Sequence, residues 1–182
     1  MKRRLGEGHP GARNRLLYFK QREEQGGPAA PQAVLEVMER YERALEQEFR
    51  QQWRTLERAA LLERLTAHGP AAIVSDENTR TQLLKLRALD PQARFFRWIV
   101  TSEEVGAEKA TGRPFEEALG RIGCAASECV MVGDSVESDL APALRLGMRA
   151  VLTREFIGPK GAVPEGVAII DRLDDLPQVL AR

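Results

Sequence analysis

A chain of 182 residues, 43% of them hydrophobic, can bury one α/β core of ordinary size or a compact core with a small appended unit, which excludes global disorder. Its 27 Lys and Arg balance its 27 Asp and Glu, so no net charge draws nucleic acid or an anionic membrane, and neither is expected as a partner. No apolar run approaches the ~20 residues of a membrane span, and none follows the basic opening Met1-Lys2-Arg3-Arg4 as in a signal peptide; a cytoplasmic location is expected.

Up to His68 the sequence reads as helix, with no β-branched run. Arg13 to Gln25 predicts a first helix, ended by the breaker Gly26-Gly27-Pro28. A longer helical stretch spans Gln32 to Ala67. Its apolar residues Val34, Leu35, Met38, Tyr41, Leu45, Phe49, Trp53, Leu56 and Ala60 recur at three- and four-residue steps. They form one packing stripe, with Glu, Arg and Gln on the solvated face. The length favours a break near Gln51 to Thr55, and the stripe leaves room for a homodimer.

From Pro70 onward the texture alternates. Short apolar runs at Ala71 to Val74, Trp98 to Val100, Val130 to Val132, Ala150 to Leu152 and Val167 to Ile170 read as strands. Helical patterns lie between most of them: Thr79 to Leu89, Pro114 to Ile122 and Ser138 to Leu146. Near-continuous apolar strands alternating with helices predict a parallel, Rossmann-like sheet covered on both faces. Two regions are therefore expected, a helical one over residues 1–69 and an α/β one over residues 70–182.

In a parallel sheet, ligands bind outside the carboxyl ends of the strands, so the residues following each apolar run carry the chemistry. After Val132 comes Gly133-Asp134-Ser-Val-Glu-Ser-Asp139. Gly133 permits a sharp turn, Asp134 stands at the strand end, and Asp139 lies in the first turn of the next helix. Two such carboxylates suit a hard cation such as Mg2+; a Gly-Asp turn followed by a carboxylate at a helix start reads equally well. Ser75, after Val74, either binds an anion with its hydroxyl or caps a helix. Lys109 either reaches the same pocket to neutralise a phosphate oxygen or is a surface lysine. His9 and His68 stand alone, without a catalytic context. Cys124 and Cys129, the only cysteines, read as reduced thiols of a cytosolic protein.

Taken together, the strand ending in Ser75, Gly106-x-x-Lys109 followed by Phe115, and Val-Met-Val-Gly-Asp134-Ser-Val-Glu-Ser-Asp139-Leu resemble the haloacid dehalogenase superfamily. The resemblance runs from about Ala71 to Pro177 and departs from the common pattern at Pro142, where glycine is usual. It implies a parallel α/β core preceded by an α-helical cap. It also implies a magnesium-dependent phosphatase of small phosphorylated metabolites. In that role Ser75 would hydrogen-bond the transferring phosphoryl group, Lys109 would balance its charge, and Asp134 with Asp139 would position Mg2+. The helices before Pro70 would be the cap, which closes over the site and selects the substrate.

One part of the pattern is missing. The family's nucleophile is an aspartate in an Asp-x-Asp motif after a first strand, upstream of the cap, yet this chain has no Asp before Asp76. In that fold the first strand lies between the strands at Ala71 and Val130, so its loss leaves two strand edges without partners. Three readings stay open: an N-terminally shortened form of a longer protein, a sheet closed up or completed by a partner, and a catalytically inactive relative that binds rather than hydrolyses. A receiver-type signalling domain ranks last, because its early acidic pair is absent.

Overall fold

The computed structural model describes residues 13–28, 30–156, 158 and 161–181; His9 and the first twelve residues of the 1–69 region lie outside them. Helix α1 (Arg15–Glu23) starts where the Asn14 side chain accepts the Leu16 N–H at 3.0 Å, and runs into a 3-10 turn at Glu24–Gly26. Helix α2 (Pro31–Thr55) places proline in its first turn, where a missing N–H costs nothing. The expected break falls just past Thr55. Glu57 adopts a left-handed backbone (φ 48°), and α3 (Arg58–Thr66) begins at the next residue.

Five parallel strands follow: β1 (Ala71–Ser75), β2 (Phe96–Thr101), β3 (Val130–Gly133), β4 (Arg149–Thr153) and β5 (Ala168–Ile170). They form two parallel sheets, β1-β2 and β3-β4-β5, flanked by helices in an α/β, Rossmann-like arrangement. β1 and β3 do not pair, so among the described residues each sheet ends on an open edge. Every residue of β1 and β3 is only partly buried, whereas Ala150, Val151 and Leu152 of β4 are buried.

Period-two alternation explains the core of the larger sheet. Ala150 and Leu152 pack on one face with Leu140, Val136, Val163 and Val167. Val151 packs on the other with Ile170, Leu176 and Leu65 of α3. Both faces are thus covered, as a parallel sheet requires. On the smaller sheet, α4 (Thr79–Leu89) follows β1, and α6 (Arg113–Ile122) packs on β1 and β2 with Phe115 fully buried.

Much of the apolar stripe of α2 is used within the chain, while Leu35 stays exposed. Val34 and Met38 are buried, Tyr41 meets Phe19 of α1 edge-on at 5.5 Å, and Trp53 meets Phe95 at 6.3 Å between ring centroids. Charge completes the seam against α4: Glu42 takes both arms of the Arg80 guanidinium (2.5 and 2.8 Å), and Glu46 pairs with Arg87. At the start of α3, Arg58 is buried between Glu155 and Asp174, fastening that helix to the loops beyond β4 and β5.

Two expectations change. The helix over Ser138 to Leu146 is instead a π-turn, Val136–Leu140, followed by the short helix α7 (Ala141–Arg145). Pro142 has no N–H for the carbonyl four residues back, and its ring crowds that carbonyl, so a regular helix cannot run through it. Cys124 and Cys129 are not separate thiols. They are joined across the connection from α6 to β3.

Candidate active site

The site gathers at the carboxyl ends of β1 and β3, on either side of the gap between the sheets. At the end of β3 the chain reaches Gly133, and the π-turn folds Asp139 back onto it. Both the Asp139 and the Leu140 N–H donate to the Ser135 carbonyl, at 3.0 and 3.2 Å, which winds this turn wider than an α-helix. A β-carbon at Gly133 would lie 2.5 Å from the Asp139 Cβ and Oδ2, so only glycine admits the carboxylate here.

Asp139 is 2% exposed and fully engaged. Its Oδ2 accepts the Ser135 N–H at 3.1 Å, and its Oδ1 accepts from the Lys109 ammonium. A carboxylate this deep needs such partners, since an unpaired buried charge is strongly unfavourable. Lys109 comes from the other half of the molecule. β2 ends in Thr101, which caps the one-turn helix α5 (Ser102–Val105) in a reciprocal box with Glu104. Gly106 then turns left-handed (φ 71°) and leads to Lys109, the first residue of a 3-10 turn.

Asp76, one residue past β1, fixes that approach. Its Oδ1 accepts the Lys109 backbone N–H at 2.7 Å, and its carbonyl accepts the Ser102 hydroxyl at 3.1 Å. Lys109 therefore bridges the two sheets, backbone to the β1 end and side chain to the β3 end. The sequence marks Ser75-Asp76 only as a strand-end or capping pair, so this role of Asp76 is not legible there. Arg13 is a second residue missed. Its guanidinium lies 3.7 Å from the carboxylates of both Asp76 and Glu108, while its carbonyl accepts from the Asn78 amide at 3.2 Å.

Of the four residues singled out in sequence, Lys109 and Asp139 touch. Ser75 is the last residue of β1, its Oγ accepting the Glu77 N–H at 3.1 Å, which leaves the hydroxyl hydrogen for another partner. Asp134 is half-buried at the end of β3. Carboxylates are the right donors for Mg2+. Here, however, the Lys109 ammonium holds one Asp139 oxygen and a backbone N–H holds the other. Among the described residues no three His, Cys, Asp or Glu side chains converge on one point. Asp134 and Asp139 by themselves therefore do not make up such a cluster.

Comparison with known proteins gives a consistent picture. A family profile described as haloacid dehalogenase-like hydrolase matches residues 1–147. The glyceraldehyde 3-phosphate phosphatase of Methanothermobacter thermautotrophicus is 38% identical over 94 residues, 47% of this chain and 40% of that protein. The ribulose-1,5-bisphosphate 5-phosphatase of Halopiger xanaduensis is 40% identical over 92 residues, 50% of this chain and 38% of that protein. The match thus spans well under half the length of either relative. Among solved structures, the HAD-hydrolase YfnB of Bacillus subtilis, determined with magnesium bound, superposes with a TM-score of 0.61 at 25% identity, covering 90% of this chain and 70% of that one.

Proposed function

The chain belongs to the haloacid dehalogenase-like hydrolases, and from that premise we propose that it serves the hydrolysis of small phosphorylated metabolites. The observation that carries the reading is Lys109, whose backbone N–H meets Asp76 beyond β1 and whose ammonium meets Asp139 beyond β3. One cation thus links the residues that follow two strand ends, and Ser75 is the last residue of the first of those strands. Phosphoryl transfer is catalysed chiefly by such positioning and charge compensation. In this reading the Ser75 hydroxyl donates to a phosphoryl oxygen and Lys109 neutralises another, while Asp139 holds Lys109 in place. The phosphatase names of the relatives support the reaction class.

Mg2+ is the cofactor of this proposal, and its charge would lower the cost of bringing a phosphate among carboxylates. This chain would contribute Asp134 and Asp139, and further ligands must complete the set. The open edges of β1 and β3 fit the same reading, because a strand seated between them would bring an aspartate nucleophile beside Lys109. The helices of residues 1–69 would act as the cap over residues 70–182. Among the described residues no helix is long and apolar enough to cross a membrane, and a cytoplasmic site of action is part of the proposal. So are a small-molecule substrate rather than nucleic acid or membrane, and a homodimer as the assembly to look for.

A second reading, a non-hydrolysing binding protein of the same family, is favoured by the Lys109–Asp139 pair, since both Asp139 oxygens already have partners within the chain. Phosphate release from a panel of small phosphomonoesters separates the two. The assay compares this chain with the protein made from its full upstream reading frame, each with and without Mg2+. We expect no release by the chain alone, and magnesium-dependent release, abolished by Asp134→Asn, once a strand carrying Asp-x-Asp is present. Robust release by the chain alone would refute the need for that strand. A protein that carries the motif and still does nothing would establish the binding reading.

A further inference from the structure

We propose that Cys124 and Cys129 form a reversible dithiol clasp, a modification site that takes a small-molecule disulfide such as oxidised glutathione as its oxidant. Two cysteines are too few for a disulfide framework and read from sequence as thiols, yet the fold brings the two sulfurs together. Both statements hold if the pair exists in two states. No other cysteine is present in the chain to compete for either partner.

The setting favours exchange over a permanent staple. The cysteines bracket the 3-10 turn Ala126–Glu128, between the left-handed Gly123 (φ 76°) that ends α6 and Val130 that begins β3. Both side chains are half-buried, so a small thiol can reach them. The turn has its own hydrogen bonds: the Glu128 carboxylate accepts the Ala125 N–H at 3.0 Å, and the Cys129 N–H donates to the Ala126 carbonyl at 3.0 Å. It therefore keeps its shape without the sulfur–sulfur bond.

What the clasp acts on is β3. The Cys129 carbonyl accepts the Arg149 N–H at 3.1 Å, directly before the first β3–β4 pair, Val130 with Arg149. β3 has a partner on one side only among the described residues, and it ends in Gly133-Asp134. A bond at its start limits the fraying of a strand that lacks a second neighbour, so the redox state is passed to the order of the strand that carries the site. The chemistry balances as two exchanges. One thiolate attacks oxidised glutathione, giving a mixed disulfide and one glutathione thiolate. The second cysteine then attacks the protein sulfur of that mixed disulfide, closing the clasp and releasing the second glutathione. Two electrons pass from the protein dithiol to the glutathione disulfide.

The test uses the full chain equilibrated in glutathione buffers of graded ratio, trapped with N-ethylmaleimide and weighed intact. Oxidising buffer should give a species with no maleimide, and reducing buffer one with two, interconverting without unfolding. Cys124→Ser and Cys129→Ser should each accumulate one stable glutathione adduct, because the resolving thiol is gone. Hydrogen exchange at Val130 to Gly133 should be faster in the reduced form, with α2 and α4 unchanged as internal controls. Two maleimides, or two glutathione adducts, under oxidising buffer would overturn the proposal. So would a bond that dithiothreitol opens only in denaturant, or exchange in β3 that ignores the redox state.

Discussion

At Gly133 a single hydrogen atom makes room for Asp139. Gly133→Ala puts a methyl group 2.5 Å from that carboxylate, so we expect a loss of about 1–3 kcal/mol in urea unfolding, the range for overpacking a filled site. The Lys109–Asp139 pair is measured differently. Asp139→Asn leaves the ammonium half-buried against a neutral amide, and breaking one member of a buried pair costs about 3–5 kcal/mol. A double-mutant cycle with Lys109→Met should recover much of that loss. If the two single losses simply add, the pair is not coupled. The sequence singles these residues out as candidates because each comes after an apolar run. It does not show that they touch, for 30 residues separate them and only the turn of α5 and the π-turn bring them together. Asp76 stays hidden for a related reason: its task is to accept a backbone N–H, and that leaves no pattern in side-chain types.

Among the elements, strands and long helices are legible because hydrophobic period alone distinguishes them. The strands at Ala71, Phe96, Val130, Arg149 and Ala168 lie within two residues of where the apolar runs put them. The π-turn is not legible, although Pro142 is the signal that a regular helix fails there. The seam between α2 and α4 hides another consequence. Lys85 of α4 lies over the Phe49 ring at 5.5 Å and 3.9 Å from Glu77. Burial pushes its ammonium below the ordinary lysine value; the Glu77 carboxylate opposes this and Arg15 adds to it. In the unfolded chain the proton leaves near the ordinary value of about 10.4, and in the folded chain it leaves earlier. Between those two points the unfolded chain binds more protons, so this residue's contribution to stability rises with pH there. Urea midpoints taken from neutral pH upward should show that rise in the parent and not in Lys85→Met. At the far end of the helical segment, Arg58→Met should cost about 3–5 kcal/mol by stranding Glu155, a buried carboxylate. Glu155→Gln in the same background should restore part of it.

At the scale of the molecule, the two sheets are held in relation by side chains and helices, with no backbone ladder between β1 and β3. The alternation of strands and helices after Pro70 makes the parallel architecture legible. The division into two sheets follows in sequence only from the family resemblance, which reserves a place between those strands. An unpartnered strand edge does more than leave a gap. Its free N–H and C=O groups are a template, and any second extended segment, including the same edge of another copy, can satisfy them. The chain as described should therefore be sticky: light scattering should report particles that grow with protein concentration and shrink on dilution. Ala72→Lys, which places a charge on the β1 edge, should suppress that growth. The open edges beside the candidate site would then also set how concentrated a solution of this protein can be before it clots.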